Sequence, residues 1–402
     1  MPPDPGNAMT LQEPSNEELR ERVANVLGLV RDNALRAERE GRLTDEVVTA
    51  LNATGLHRMN VPHRYGGYQT PATAQVEVMA ALAGACGSTA WVEAIHQAGS
   101  RIVSLFTDEA QDEVFADPDV RICGAFTTTL TAVPTGGGYV VNGRCPFNTG
   151  CRHSRWDVMI ATTAPVDGRP PEPMWVLVPL AELEVLDDWD VTGLSGTGSN
   201  TVVAHDVFVP EHRTLHVLPT LTEGRLRSVA NATDPFYRIA IVPLLCATSS
   251  ATLLGMAEGA LSDFTERMHH RGIAYTEHHA QHEAPVTHFQ LAEATMKVAC
   301  ARHLTTHIAR GVEADETGRT TPTMRDRVNA RATMGYVARL AREAVDIVGS
   351  ASGGSSLRTT APIQRITRDV RALSMHGLIA PTTNLELLGR SLAGIAPTTP
   401  FV

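Results

Sequence analysis

Residues 139–151 read Tyr-Val-Val-Asn-Gly-Arg-Cys-Pro-Phe-Asn-Thr-Gly-Cys, a short β-type run that ends in a turn. Aromatic and β-branched residues favour a strand, whereas Asn-Gly and Thr-Gly pairs favour turns. Phe147 offers a flat apolar face, and the Asn148 and Thr149 backbone and the Thr149 hydroxyl offer hydrogen bonds. A flat apolar wall beside a few polar groups suits a planar heteroaromatic ring. The residues therefore predict a strand and a turn at 139–151 whose side chains are compatible with such a ring, although an ordinary strand and turn would have the same pattern.

The residues around this stretch fall into three regions of different periodicity. Apolar residues recur at helical spacing up to about residue 118, short β-type runs and turns follow to about 222, and helical spacing returns beyond about 235. The order α, β, α with long helices last predicts an α+β fold. We expect an N-terminal α-helical domain at 1–118, a middle antiparallel β-barrel or β-sheet domain at 119–222 and a C-terminal four-helix bundle at 223–402.

The composition indicates a globular protein with a small-molecule ligand. The chain has 402 residues, of which 43% are hydrophobic, so it can bury a sizeable core. Its net charge of -10 repels nucleic acid and anionic membranes. No run approaches the roughly 18 to 20 apolar residues of a membrane-spanning helix, and residues 1–21 have no basic or apolar signal-peptide region. We therefore expect a cytoplasmic protein that binds neither nucleic acid nor membranes.

Neither cysteine nor histidine spacing predicts a metal site. The six cysteines form no Cys-x-x-Cys pair, which fits reduced thiols. A histidine-rich stretch at 278–288 lacks the His-Glu-x-x-His or Cys/His spacing that places ligands on one face. We expect a solvated loop or helix end there, and no bound metal.

The turn and four later stretches resemble the acyl-CoA dehydrogenase superfamily. In that superfamily an aromatic residue, one further residue and a threonine lie beside a flavin, and Phe147 and Thr149 occupy these two places. The later stretches include a Gly-rich segment, a strand end reading Asp-Val-Phe-Val-Pro, and a Gly-rich turn before a helix. They lie at 189–199, 205–211, 344–354 and 362–369. The resemblance implies an acyl-CoA dehydrogenase-like fold that assembles as a homotetramer.

The resemblance also implies which residues bind the flavin. The turn at 147–149 would contact the cofactor of its own subunit, and the Gly-rich turn at 349–354 would approach the flavin of a neighbouring subunit. The cofactor-binding residues implied are Phe147, Asn148, Thr149, Gly349, Gly353 and Gly354.

The catalytic base of an acyl-CoA dehydrogenase is missing. Such an enzyme needs a carboxylate beside the flavin N5 to remove a proton alpha to a thioester carbonyl. The commonest position for it, eight residues after Asp369, is Gly377, which follows His376. The alternative position falls within 235–257, which contains no carboxylate. The superfamily's Arg-x-x-Phe-Gly element, which helps to hold FAD, is also absent from 271–279, and this favours a loosely held flavin.

The chain resembles the two-component aromatic hydroxylases of this fold more closely. Gly-Ser-x-x-Trp at 87–91, the Phe-Asn-Thr-Gly turn and His-Gly at 376–377 are similar to their motifs. The resemblance implies a flavin-dependent monooxygenase that receives reduced FMN or FAD from a separate NAD(P)H:flavin reductase. O2 would add to the flavin as a C4a-hydroperoxide, which hydroxylates an aromatic or phenolic small molecule in natural-product biosynthesis or aromatic catabolism.

The same resemblance implies roles for individual residues. Thr149 would hydrogen-bond the flavin N5. His376 would take the proton of a phenol, for which the ordinary histidine pKa of about 6.5 is suited. The side chains that would contact the substrate are Trp91, His96 and Arg238.

Three other functions remain open. A flavin-dependent N-oxygenase of an amino sugar would keep the flavin chemistry but would not need a base for a phenol. An acyl-CoA dehydrogenase with a relocated base would hold FAD tightly and pass electrons to an acceptor without oxygen. A flavin-free scaffold that kept the fold would not bind reduced flavin at all.

Overall fold

A computed structural model of the chain describes residues 13–165, 170–316 and 322–402, with the side chains of 127–129, 315 and 316 left out. Helices come first in this structure. α1 begins after Ser15, whose hydroxyl accepts a hydrogen bond from the Glu18 N–H while the Glu18 carboxylate accepts one from the Ser15 N–H. The helices before the sheet are α1 Asn16–Ala24, α2 Leu27–Glu40, α3 Asp45–Thr54, α4 Ala72–Ala85, α5 Gly87–Val103 and α6 Asp108–Val114.

The middle of the chain forms a mixed sheet of seven strands among the described residues. The strands are β1 Ile122–Thr135, β2 Gly138–Cys145, β3 Trp156–Thr163, β4 Pro173–Pro179, β5 Glu184–Val185, β6 Val202–Pro210 and β7 Thr214–His216. Their order across the sheet is β5-β6-β2-β1-β3-β4-β7. Every pair is antiparallel except β1 and β3, which are parallel from Ile122 opposite Trp156. The prediction of a purely antiparallel sheet is therefore corrected at this one pair.

The parallel pair has a topological cause that also positions the site. β2 returns antiparallel beside β1, and the chain at 146–155 then crosses the end of β1 to start β3 on its other side. A parallel neighbour requires such a crossover in place of a hairpin. Periodicity reports which residues form strands but not which side of β1 the next strand joins. The crossover contains the Phe-Asn-Thr-Gly turn, so the turn lies at the edge of the sheet.

Helices return after the sheet. They are α7 Val217–Glu223, α8 Ile241–Arg267, α9 Pro285–Glu316, α10 Met324–Ala351, α11 Pro362–Leu373 and α12 Pro381–Leu392. The three long helices α8, α9 and α10 pack against one another, and α11 and α12 both pack on α10. The C-terminal region is thus a helical domain, as predicted, in which the shorter helices α11 and α12 pack beside the three long helices.

The longest apolar segment of the chain is a core helix. α8 is long and apolar enough to cross a membrane by length and composition, which the sequence inspection missed, but 94% of its most apolar window is buried inside the protein. α8 packs closely on α4: a Cβ on Gly255 would lie 2.1 Å from the Ala80 carbonyl oxygen, and one on Gly259 would lie 2.6 Å from that of Gly84. This backbone approach joins the N-terminal and C-terminal helices in one core.

Candidate active site

The turn after β2 presents an aromatic ring to solvent. Phe147 is 63% exposed and has a φ of 62°. A non-glycine residue in this left-handed region costs free energy, and such outliers cluster at functional sites. The backbone is held from behind, because the Asn148 N–H donates to the Asn200 carbonyl and the Gly150 N–H donates to the Thr197 carbonyl, both at 3.1 Å. Phe147 also meets Trp189 edge to face at 6.0 Å. The ring is therefore fixed in position with an open face.

Asn148 supports the turn from inside the protein. It is fully buried, and its amide Nδ2 donates to Asp157 Oδ2 at 2.5 Å. Asp157 lies on β3 with no cation beside it, and burial raises the pKa of its carboxyl to about 7. Both the backbone N–H and the side-chain amide of Asn148 are thus engaged within the chain. A direct contact with a cofactor stays a prediction for this residue.

Thr149 heads a chain of three hydroxyl groups. Thr149 Oγ1 lies 2.8 Å from Ser199 Oγ, which lies 2.7 Å from Thr197 Oγ1. Thr197 donates its only hydroxyl proton to the Leu194 carbonyl at 2.7 Å, so its oxygen accepts from Ser199. The single hydroxyl proton of Ser199 is therefore donated to Thr197 Oγ1, and Ser199 Oγ accepts a hydrogen bond from the Thr149 hydroxyl.

The direction of this chain decides what Thr149 can offer a ligand. Its hydroxyl proton points toward Ser199, so the lone pairs of Thr149 Oγ1 face away from the chain as acceptors. Within the described residues nothing pairs with the backbone N–H of Thr149. Thr149 is buried, at 5% exposure, and it offers one acceptor and one donor that no described residue uses.

The loop that carries these hydroxyl groups is anchored to α11. The Leu194 N–H donates to Asp369 Oδ1 at 2.6 Å, and a Cβ on Gly193 would lie only 2.4 Å from the Arg368 carbonyl oxygen. Burial raises the pKa of the Asp369 carboxyl to about 6. The Arg-Asp pair at 368–369, at the end of the stretch 362–369 that resembles the superfamily, thus holds the Gly-rich segment against the turn.

Trp91 and His376, predicted separately, lie together. Their rings meet edge to face at 5.3 Å, across α5 and the segment after α11. The His376 side chain is accessible to solvent, yet the surrounding protein lowers its pKa to about 4 through desolvation. A Cβ on the neighbouring Gly377 would meet no atom within 4 Å, so there is open space at this point.

The neutral form of His376 is fixed as one tautomer. Its Nδ1 accepts a hydrogen bond from the Leu378 N–H at 3.2 Å. A nitrogen that accepts carries no proton, so the neutral ring carries its proton on Nε2. In this geometry the neutral His376 presents its proton on Nε2, and its predicted role as a base stays a prediction.

Neither position at which the superfamily carries its catalytic base holds a carboxylate in this chain. The position of the dehydrogenase base is Gly377, and 235–257 contributes none. Two buried carboxylates approach the turn from behind, and each has a side chain in between: Asn148 covers Asp157, and His96 covers Glu93. The two known positions therefore do not supply the base that a dehydrogenase needs beside the flavin N5.

Comparisons with known proteins identify the family. Models of the acyl-CoA dehydrogenase N-terminal and C-terminal domains match residues 13–118 and 247–381. The flavin-dependent monooxygenase, oxygenase subunit HsaA, of Mycobacterium tuberculosis is 32% identical over 93% of this chain and 95% of its own. The FADH(2)-dependent resorcinol hydroxylase, oxygenase component, of Rhizobium sp. is 29% identical over 94% of each chain. The structure of XiaF from Streptomyces sp. in complex with FADH2 and glycerol has a TM-score of 0.89 and 29% identity, covering 96% of this chain and 97% of XiaF.

The chain belongs to the flavin-dependent monooxygenases built on the acyl-CoA dehydrogenase fold. This confirms the family predicted from the sequence, and the monooxygenase uses reduced flavin and O2. The geometry of the turn fits that cofactor. The exposed face of Phe147 matches the flat apolar ring, and the unpaired Thr149 N–H and the free lone pairs of its hydroxyl match the polar edge.

The other predicted site residues of the monooxygenase lie in different surroundings. His96 is fully buried, and a Cβ on Gly150 would lie 2.9 Å from its Nε2. Arg238 is exposed, and its guanidinium donates to the Ala232 carbonyl of its own loop at 3.3 Å. Its contact with substrate stays a prediction.

The predicted Gly-rich turn lies at the end of α10. Gly353 has a φ of 64° and, like Gly354, has open space where a Cβ would lie. Gly349 packs inside α10 at ordinary distances from Thr367 and Ile363. No hydrogen bond or ring contact of the described chain joins these glycines to Phe147 or Thr149. Their contact with a neighbouring subunit's flavin stays a prediction.

Sequence inspection missed several polar residues that lie around the turn. Thr197 and Ser199 lie in the Gly-rich segment that was recognised only by its glycines, and their hydroxyl groups were not considered. Glu93 precedes His96 by three residues, a spacing that puts both on one helix face, so this pair was detectable. His57 and Ser154 come from distant segments, and no sequence pattern connects them to His96.

Proposed function

We propose that this protein is the oxygenase component of a two-component system and that it hydroxylates a phenolic ring. Two relatives are named oxygenase subunit or oxygenase component, and one of them is named for resorcinol, a phenol. An oxygenase component receives its reduced flavin from another protein, so a separate NAD(P)H:flavin reductase is the proposed partner. Reduced FMN and reduced FAD both remain candidates.

The hydroxyl chain at Thr149 carries this proposal. Reduced flavin has a proton on N5, and the free lone pairs of Thr149 Oγ1 accept from such a donor. When bound, the reduced flavin supplies the activation of O2 and the transfer of one oxygen atom. The protein positions the flavin and excludes water from it. Phe147 would cover one face of the ring, and Thr149 would hold its polar edge.

We propose that Trp91 and His376 line the substrate recess. The neutral Nε2–H of His376 donates to the phenolic oxygen, and the edge contact with Trp91 fixes the plane of the imidazole. The lowered pKa keeps the ring neutral at pH 7, so it holds the substrate oxygen without adding a charge. This assigns His376 the role of donor and leaves the phenolic proton to another group.

Assembly and location complete the proposal. α9 leaves a stripe of large apolar side chains uncovered, with Val286, Phe289 and Met296 each more than half exposed. Such a stripe is typical of a subunit contact. We propose a cytoplasmic homotetramer in which this face of α9 is covered and the Gly353 turn approaches a neighbouring subunit's flavin.

Anaerobic titration tests flavin binding first. Reduced FMN and reduced FAD are added separately to wild-type protein, to Thr149→Val and to Thr149→Ser, and binding is followed by flavin fluorescence. Air is then admitted with a panel of phenols, and hydroxylated product is divided by hydrogen peroxide released. We expect Thr149→Ser to keep the ratio near wild type and Thr149→Val, which lacks the acceptor, to release mainly peroxide. A wild-type protein that binds no reduced flavin would refute the proposal.

The role of His376 has its own test. His376→Ala removes the donor, and His376→Gln keeps an N–H group of similar reach. We expect product formation to fall about 100-fold in His376→Ala, the usual effect of deleting one donor to a reacting oxygen, and to recover in part in His376→Gln. Equal activity in wild type and His376→Ala would contradict the role and would favour oxidation of an amine.

A further inference from the structure

Four polar side chains meet behind the turn in a group that we call the relay cluster. Its members are His57 on the short helix Leu56–Asn60, Glu93 and His96 on α5, and Ser154 just before β3. His57, Glu93 and His96 are at most 2% exposed, whereas Ser154 is half-buried. Burying ionisable groups to this degree is costly unless they are paired. The free-energy cost of burying these groups therefore suggests that the cluster has a function.

The contacts within the cluster form a line. His57 Nε2 lies 3.0 Å from Glu93 Oε2, and His96 Nδ1 lies 3.6 Å from the other carboxylate oxygen, Oε1. On its far side, His96 Nε2 lies 3.2 Å from Ser154 Oγ. Ser154 Oγ is also 3.0 Å from the Gly150 carbonyl oxygen, in the turn itself. Glu93 is thus connected to the turn through one imidazole and one hydroxyl.

Proton counting allows two states of this line. In the first, His96 carries its proton on Nδ1 toward Glu93, and the Ser154 hydroxyl donates to the lone pair of His96 Nε2. In the second, His96 carries protons on both nitrogens, and the Ser154 hydroxyl has turned to the Gly150 carbonyl. Glu93 is ionised in both states. The states differ by one proton on His96, and a rotation of the Ser154 hydroxyl connects them.

We propose that Glu93 is a positioning residue that, with His57, holds His96 as the proton acceptor of the oxygenase site, with Ser154 as the linking hydroxyl. The inference rests on the proposed function, because it supplies the acceptor that the tautomer of His376 leaves missing. The phenolic hydroxyl gives its proton to Ser154 Oγ as Ser154 gives its own to His96 Nε2. The substrate is left as a phenolate and His96 as an imidazolium beside Glu93, and no electron moves in the step.

The electrostatics of the cluster agree with this assignment. Burial alone raises the pKa of Glu93, but the adjacent His57 and His96 outweigh it and hold the pKa well below its usual range. Burial lowers the pKa of His96, against the opposing effect of Glu93, so the ring is neutral and ready to accept at pH 7. The other charged or titratable groups that act on His96 are Arg121 and His153.

A bound metal is the competing use of the same residues. The three ligand atoms of His57, Glu93 and His96 lie within 4.8 Å of one another. The two imidazoles, however, face different oxygens of one carboxylate, His57 Nε2 at 3.0 Å and His96 Nδ1 at 3.6 Å, so that the carboxylate can orient both rings without a metal. Metal content is accordingly one outcome of the test.

The experiment compares Glu93→Gln and Glu93→Asp with wild type and with Asp263→Asn, a carboxylate-to-amide control at the end of α8, remote from the site. Protein labelled with [15N]histidine reports which His96 nitrogen is protonated, and a His96→Gln sample assigns the signal. We expect Nδ1–H in wild type and Asp263→Asn, and a shift toward Nε2–H in Glu93→Gln. This readout needs no substrate, so it is independent of the proposed function.

Activity is measured on the same samples between pH 5 and 9. We expect Glu93→Gln to bind reduced flavin normally but to lose about 100-fold in product formation, as for removal of a general base, with partial recovery in Glu93→Asp. Its acid limb should also change, which a merely structural loss would not cause. An unchanged tautomer and pH profile in Glu93→Gln would overturn the inference, and so would one equivalent of divalent metal in wild type that Glu93→Gln lacks. A wild-type enzyme that hydroxylates no phenol but shows the tautomer switch would refute the proposed function alone.

Discussion

Two buried carboxyl groups lie behind the same turn, and their surroundings differ in one respect. On the α5 side, Glu93 has an imidazole at each oxygen, and these neighbours lower the pKa of the carboxyl. On the β3 side, Asp157 has only the Asn148 amide and neutral thiols, and burial raises its pKa to about 7. Depth of burial is the same for both. The partner therefore decides whether a buried acid is a charge or a neutral hydrogen-bonding group.

We call the α5 side of the turn, with Glu93, the chemical flank, and the β3 side, with Asp157, the structural flank. A carboxylate paired with histidines can orient a proton acceptor, and this flank is connected to the turn at Gly150. Asp157, with a pKa of about 7, is only partly ionised at neutral pH, and its Oδ2 accepts from the Asn148 amide and supports the turn. The following variants disturb one flank at a time.

Gly150→Ala should have the largest effect, because the added methyl group would contact His96 on the chemical flank. The added Cβ would lie 2.9 Å from both His96 Nε2 and Val92 Cγ1, and the φ of 74° is strained for alanine. We expect hydroxylation to fall more than about 100-fold, as when a catalytic group is displaced, and stability to drop by about 1–3 kcal/mol. Gly224→Ala, at a φ of 67° in open space, carries the backbone strain alone. If both variants lose activity equally, contact with His96 is not the cause.

Ser154→Ala should have the next largest effect. It removes the hydroxyl that links His96 to the turn without changing Glu93 or His57. We expect about a tenfold loss of product at unchanged flavin binding, with water replacing the hydroxyl in part. Ser154→Thr keeps a hydroxyl and should retain most of the activity. Comparable rates in Ser154→Ala and wild type would remove Ser154 from the proton path.

Asp157→Asn should alter stability and leave chemistry almost unchanged. The folded-state pKa of about 7 lies above the unfolded value of 3.8, so the wild type loses stability as pH rises from about 4 to 7. The amide does not titrate, and we expect the variant to gain on the order of 1–3 kcal/mol relative to wild type between pH 4.5 and pH 8. Urea unfolding at both pH values measures the gain. A pH dependence shared by wild type and variant would mean that Asp157 is ionised in the folded protein.

Arg238→Ala should have the smallest effect. The side chain is exposed and bound to the carbonyl of Ala232 in its own loop, outside both flanks. We expect KM for a phenolic substrate and the rate of product formation to change less than about twofold, as for an ordinary surface substitution. An increase in KM of tenfold or more would restore the role in substrate binding that the sequence predicted.

The sequence predicted what local patterns encode. The Phe-Asn-Thr-Gly turn, the Gly-rich segment and the Arg-Asp pair were recognised, and they meet in the structure because Asp369 binds the Leu194 N–H. The parallel pairing of β1 and β3 was missed, since residue preferences do not specify which edge a strand joins.

The relay cluster was not predicted from the sequence for a related reason. His57 and Ser154 lie on segments distant from α5, and only the packed fold brings them to Glu93 and His96. The donor role of His376 likewise depends on one backbone N–H, that of Leu378, which no motif records. Hydrogen-bond direction is a property of three-dimensional geometry and is not carried by residue type.

Incorporation of oxygen from 18O2 tests the central claim most directly. The protein is mixed with reduced flavin, a phenolic substrate and 18O2, and the product is analysed by mass spectrometry. A flavin site with an acceptor at Thr149 and no carboxylate at Gly377 predicts one 18O atom in each hydroxylated product. An oxidised product without the label, formed equally well when an electron acceptor replaces oxygen, would contradict the account and identify a dehydrogenase.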